Sequence, residues 1–302
     1  MAPRIHTVDL HFRNEAHAVA AYIVEGPQGL VLIETGPRST LDTLLHAIAE
    51  LGYQRGDIRD VLVTHIHLDH AGALGWWAEQ GAQVYLHDFG VKHVVDPSKL
   101  IASATRLYGD EMDTLWGEIT PVPQDKITAL NDGDQIQVAG LELTAIDSPG
   151  HARHHMVFRL GDVAFTGDAA GVRLLGSPYI DLPAPPPEFH REVWFTTLDR
   201  LRAERFTTLY PTHFGAVNDA ETHLENFREL LDQSVELVHS YFDRGLSRDE
   251  MIEAYLDHHR QRAVDLGIEA QFFDGYAKAN PLFLSVDGIR RYLVKQGKVP
   301  PP

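Results

Sequence analysis

The chain has no cysteine. Disulfide stapling is therefore excluded, and so is any thiolate ligand for a metal ion. Cations are scarce as well: 26 Lys and Arg face 43 Asp and Glu, for a formal net charge of −17. Nucleic-acid binding draws most of its affinity from Lys and Arg set against phosphate, so this balance disfavours an RNA or DNA substrate. The one dense basic stretch, Arg290 to Lys298, carries its cations at helical spacing and reads as a solvated helix face or a helix C-terminus. No apolar run approaches the roughly 18 residues that suggest a membrane-spanning helix. Residues 1–10 lack the apolar core of a signal peptide, which makes the cytoplasm the expected compartment. At 302 residues the length suits one large domain, or a domain with an appendage, with ample core.

Histidine, in contrast, is concentrated. Thr64-His65-Ile66-His67-Leu68-Asp69-His70 follows the apolar run Val61-Leu62-Val63, which reads as a buried strand ending in a ligand-rich loop. Imidazole nitrogen and carboxylate oxygen are the donors that borderline divalent ions prefer. In an extended stretch His65, His67 and Asp69 share one side, and a turn brings His70 alongside. Four ligand-type side chains from one loop exceed what a single open catalytic zinc needs, so they suggest two ions. Further ligand-type residues close other strand-like runs: Leu141 to Ile146 leads to His151, Val163 to Gly167 to Asp168, and Leu209-Tyr210-Pro211-Thr212 to His213. Gly or Pro beside each lets the backbone turn sharply. The histidines outside these motifs, among them His6, His87, His223 and His259, read as surface or satisfied core residues.

With these motifs in this order, the chain resembles the metallo-β-lactamase-fold hydrolases. The likeness is greatest to the dinuclear branch that includes hydroxyacylglutathione hydrolase (glyoxalase II), the acyl-homoserine lactonases and ribonuclease Z, and it covers roughly the first 215 residues. The resemblance implies that His65, His67 and His151 hold a first metal and Asp69, His70 and His213 a second, with Asp168 bridging. It implies an α/β (α+β) fold, a four-layer αββα sandwich, with a catalytic domain over 1–218 and a C-terminal helical subdomain over 219–302. It further implies two divalent ions, zinc first with iron or manganese as alternatives. A hydroxide bridging them would attack a small ester, thioester or lactone, with Asp69 as the catalytic residue that orients it and passes on its proton. The expected partner is a small acyl molecule, with no nucleic acid and no membrane, and the helical extension makes a homodimer conceivable.

Alternatives stand beside this reading: a phosphodiester or nucleic-acid hydrolase on the same site, or a binding protein without turnover. The absence of cysteine rules out the zinc β-lactamases that use a cysteine ligand. His67 stands where the diiron flavoprotein branch has Glu, which rules that branch out. Two departures from the family pattern appear. Glu34-Thr35-Gly36 replaces the usual Asp-x-Gly, and its longer side chain is expected to alter contacts behind the ligands without touching any of them. After His151 the chain reads Ala152-Arg153-His154-His155: His155 matches a second histidine of the relatives, which the resemblance implies orients the site from behind, whereas His154 replaces their glycine and its role is open. Lactonase-like relatives hold the substrate carbonyl with a tyrosine between the bridging aspartate and the last histidine, so the resemblance makes Tyr179, in the proline-rich loop after Asp168, a candidate for that role, against a packing role. Residues 90–126 read as one or two short helices that form either a lid or a satellite of the core.

Periodicity adds detail. Residues 21–24 and 30–33 read as a hairpin, and 39–51 as a helix capped by Ser39 or Thr40. A helix is expected to begin near Ala71. Leu224, Phe227, Leu230, Leu231, Val235 and Val238 recur at helical spacing, and Ser247 is placed to cap a further helix.

Overall fold

The computed structural model describes residues 3–174 and 176–299. Six strands form the first sheet in sequence order: β1 (Arg4–Asp9), β2 (Ala20–Gly26), β3 (Gly29–Ile33), β4 (Ile58–Leu62), β5 (Gln83–His87) and β6 (Ile127–Leu130). The first three are antiparallel and β3 to β6 run parallel. The second sheet has the order β13-β10-β9-β8-β7, with β7 (Gln135–Val138), β8 (Leu141–Asp147), β9 (Met156–Leu160), β10 (Val163–Gly167) and β13 (Thr208–Pro211). A short ribbon, β11 (Val172–Arg173) with β12 (Ile180–Asp181), lies in the loop after β10.

Three apolar clusters fill the spaces between four layers. On the outer face of the first sheet, Leu32, Val61, Val63 and Val84 meet Leu41, Leu44 and Ile48 of helix α1 (Leu41–Glu50). Between the sheets, Tyr22, Val31, Ile33 and Leu62 meet Leu143, Ala145, Phe158 and Phe165. Val61 and Leu62 thus face opposite clusters, which is why the end of β4 and Val63 after it read as an apolar run: the chain there is buried on both faces. The αββα sandwich expected from the sequence is the observed architecture.

Several local expectations need adjusting. Thr40 occupies the N-cap position of α1, as expected, but makes no side-chain capping bond; the Ser39 and Thr40 hydroxyls donate instead to Leu115 O and Pro37 O. Helix starts earlier than Ala71, because His67 leads straight into α2 (Leu68–Ala71), followed by α3 (Leu74–Glu79). Residues 90–126 hold parts of three helices, α4 (Asp88–Val95), α5 (Ser98–Tyr108) and α6 (Met112–Trp116).

The second sheet's outer face carries α7 (Arg191–Ala203), whose Trp194 is fully buried and donates its indole N–H to Ala169 O at 2.8 Å. Four helices follow: α8 (Ala220–Asp243), α9 (Arg248–Asp265), α10 (Ala270–Ala279) and α11 (Phe283–Lys295). Their apolar faces, with Leu224, Phe227, Tyr255, Phe273 and Ile289, join the cluster that contains Ala164, Leu209 and Trp194. The chain after residue 219 therefore continues the core of the second sheet. Ser247 caps α9 in a reciprocal pair with Glu250, as its spacing implies.

Candidate metal centre

Strands of both sheets end at one edge. β10 and β13 are parallel neighbours, and β8 lies two antiparallel steps from β10, so these three run in the same sense. The segments after β8, β10 and β13 carry His151, Asp168 and His213, and they meet the loop after β4, which carries His65, His67, Asp69 and His70. Backbone bonds hold the junction: Met156 N donates to Thr64 O at 2.7 Å, and Ser148 N to His155 O at 2.9 Å.

These seven side chains fall into two sets. In the first, His65 Nε2, His67 Nδ1 and His151 Nε2 lie 2.9–3.2 Å from one another. In the second, Asp69 Oδ2 lies 3.7 Å from His70 Nε2 and 3.5 Å from His213 Nε2. Asp168 stands between them. Its Oδ2 is 3.3 Å from His151 Nε2, and its Oδ1 is 3.4 Å from His70 Nε2 and 3.5 Å from His213 Nε2.

For four of the five rings the far side fixes the neutral tautomer. His151 Nδ1 donates to Pro183 O at 2.7 Å, and His213 Nδ1 donates to Ala18 O at 2.6 Å. Thr64 Oγ1 gives its own proton to Glu34 Oε1, so it accepts one from His65 Nδ1. His70 Nδ1 donates to Glu34 Oε1 at 3.2 Å. In those neutral tautomers four Nε2 lone pairs converge on one another and on carboxylate oxygens. His65 and His151 present theirs at 3.2 Å, an arrangement that repels unless a cation sits between. His70 Nε2 and Asp168 Oδ1 are buried without a hydrogen-bond partner. Divalent ions fit this donor set: three imidazole nitrogens on one side, two nitrogens and a carboxylate on the other, and one Asp168 oxygen for each.

The two sets differ in charge. Burial pushes His67 down to about 3, and burial with neighbouring imidazoles holds His65 well below the usual histidine range. In the second set burial opposes protonation, yet Asp69 and Asp168 outweigh it and raise His70, as they raise His213. Burial likewise pushes Asp69 and Asp168 up, but the facing imidazoles, His70 foremost, bring both below the usual carboxylate range. That corner favours positive charge.

The expectation that Glu34 touches no ligand fails. Its backbone has φ +65°, it is 1% exposed, and its carboxylate faces the site. It accepts from His70 Nδ1, the Thr64 and Thr212 hydroxyls and Thr64 N. Its only cue in the sequence is Gly36 two residues on, which marks the turn but not the contact. His155 lies directly behind the ligands: Asp168 N donates to its Nε2 at 3.1 Å, and its ring stacks on His65 at 4.8 Å. Gly167 permits this approach. Its φ is +50°, and a Cβ there would meet Thr64 Oγ1 at 2.3 Å and His155 Nε2 at 2.7 Å. His154 lies over the first set, its ring 6.0 Å from that of His65 and its Nε2 3.6 Å from Glu188.

Tyr179 is not brought to the cluster. It is fully buried, its hydroxyl pairs with His259 Nδ1 at 2.9 Å, and its ring packs on Phe273 and Tyr276. The short ribbon of β11 and β12 turns it into the core, and it lines neither cavity beside the ligands. Residues 90–126 divide between the core and a cavity wall. Val94, Ala104 and Leu115 join the core, while His93, Leu107 and Tyr108 line a cavity next to His67 and His151.

The sequence pattern of the metallo-beta-lactamase superfamily matches residues 15–213. The chain belongs to that superfamily. Among curated relatives, the metallo-beta-lactamase fold-containing protein ST1585 of Sulfurisphaera tokodaii is 27% identical over 183 residues, covering 59% of this chain and 66% of that protein. The atrochrysone carboxyl ACP thioesterase of Aspergillus novofumigatus is 25% identical over 167 residues, 55% of this chain and 39% of that enzyme. The chain thus spans less than two thirds of either relative's length. In structure it is similar to the metallo-beta-lactamase family protein TTHA1429 of Thermus thermophilus, with a TM-score of 0.69 at 23% identity over 97% of this chain and 94% of that one, which shows a shared fold.

Proposed function

We propose that the protein is a dinuclear metal-dependent hydrolase of small acyl substrates, an ester, thioester or lactone, akin to the glyoxalase II and lactonase branch. The observation that carries this reading is the convergence of two ligand sets joined by Asp168, with bare lone pairs turned inward and a cavity beside them. The likeness to a thioesterase supports carbonyl chemistry over a phosphodiester, as does the net charge of −17. Among the described residues lining the cavities, Lys99 is the only Lys or Arg, which is one cation for the two carboxylates of an acylglutathione. A lactone or a smaller thioester fits better.

Divalent cations in these sets, zinc first and iron or manganese as alternatives, would supply an activated water and a polarised carbonyl at neutral pH. The residues of the chain do the rest. His65, His67 and His151 would hold one ion, Asp69, His70 and His213 the other, and Asp168 would span them. Asp69 is a quarter exposed and lines both cavities, so it is placed to accept the proton of the attacking water and return it to the leaving group. Glu34 and His155 keep the ligand rings and Asp168 in position.

The test is hydrolysis by metal-loaded protein of an acylglutathione, a homoserine lactone, an aryl ester and a phosphodiester, before and after chelation. Turnover of a carbonyl substrate that chelation abolishes is expected. Turnover of the phosphodiester alone, or of nothing, would overturn the reading.

A further inference from the structure

Two cavities flank the ligand sets, and their walls differ. The larger, 290 Å³, opens beside His67 and His151 and is walled by Ile66, Phe89, Leu100, Leu107 and Ala104, with Lys99 as its one lysine. The smaller, 80 Å³, opens beside Asp168 and His213 and includes Asp181, Tyr276 and Asn280. Asp69, Tyr108, Trp116, Pro185 and Leu284 line both, so the two are lobes of one cleft that runs past the metal centre. Ligand pockets of about 300 Å³ and above, mostly apolar with a few polar groups, hold small molecules. The larger lobe is of that kind. In the smaller one Tyr276 Oη donates to Asp181 Oδ2 at 2.7 Å, and Asn280 Nδ2 is buried without a partner.

We infer that the larger lobe receives an apolar acyl chain, while the smaller lobe receives the leaving atom and a short polar remainder. This rests on the hydrolase reading above. In that reaction the water oxygen bonds to the acyl carbon, the bond from that carbon to the leaving oxygen or sulfur breaks, and the leaving atom departs with the proton passed on by Asp69. The smaller lobe, at 80 Å³, has little room for a chain, and Asn280 Nδ2, buried without a partner, offers an N–H that a polar remainder would satisfy and an apolar chain would not. In the larger lobe the same chain meets carbon on most sides and gains by leaving water. Leu107, 42% exposed on α5, is apolar surface that such a chain would cover.

The experiment uses metal-loaded protein and esters from acetyl to decanoyl with one constant leaving group. kcat/KM is expected to rise roughly fourfold for each methylene buried until the lobe is full. Lengthening the alkyl leaving group of acetyl esters is expected to gain little. Ser103, half-buried in the lining and outside the metal centre, gives a variant that fills the lobe. Ser103→Phe should raise KM for the octanoyl ester about tenfold and move the preferred acyl length toward shorter chains. Binding of the product octanoate, measured by calorimetry, should exceed that of acetate and weaken in Ser103→Phe whether or not turnover is seen. Equal affinity for the two acids, a flat acyl series, or a gain with leaving-group length would overturn the assignment. Selective octanoate binding without hydrolysis of any ester would instead leave the lobe in place and overturn the hydrolase reading.

Discussion

His65, His67 and His151 form a neutral corner, whereas Asp69, His70 and His213, a few ångströms away, form one that favours positive charge. The first corner offers lone pairs held by Thr64 and Pro183 from behind; the second offers carboxylate charge and is braced by Glu34. Similar side chains thus acquire different characters from what stands behind them. Asp168 gives an oxygen to each corner and makes the two one unit.

Removing that shared residue should have the largest effect. Asp168→Ala is expected to empty both sets and lower activity on the order of a thousandfold, read by ion analysis and ester turnover. His67→Ala and His213→Ala each break one corner. Each should cut ion content from about two per chain toward about one, with a loss of roughly a hundredfold or more; loss of both ions from either variant would mean that the corners are not separable. Glu34→Gln leaves the Nδ1 proton of His70 and two threonine hydroxyls short of a carboxylate. It should weaken the second ion about 10–100-fold and leave the first unchanged, as read by metal titration.

How far this was legible varies along the chain. The ligand loop, the hairpin and the residues after β8, β10 and β13 announce themselves locally, because each pairs an apolar run with a turn residue and a donor. Glu34 did not, since its contact with His70 spans 36 positions and depends on how β3 and β4 lie side by side. Tyr179 misled for the opposite reason. It sits at the expected place along the chain, but the ribbon pairing Val172 with Asp181 turns it into the core formed with α9 and α10. Whether α4 to α6 pack or line a cavity depends on which face of each helix meets the sheet, and short helices show that poorly in sequence.

Two buried side chains that are not ligands, Asp181 and Tyr179, supply controls that should leave ion content unchanged. Burial raises the Asp181 carboxyl from the usual 3.8 to about 6. The fold therefore favours its protonated form. The stability this gives is complete below pH 3.8 and is lost as pH rises through about 6. The wild type should lose about 2–3 kcal/mol over that window relative to Asp181→Asn, seen as diverging denaturation midpoints. Tyr179→Phe should have the smallest effect, about 1 kcal/mol for the bond to His259 with turnover within about twofold; a loss near a hundredfold in kcat would return Tyr179 to the active site.

Stepwise titration of metal-stripped protein, with ions counted per chain and ester turnover followed in parallel, tests the paired corners most directly. The account predicts about two ions per chain, with the second step alone weakened in Glu34→Gln and both steps lost in Asp168→Ala. Full turnover with a single ion, or two ions still bound in Asp168→Ala, would contradict it.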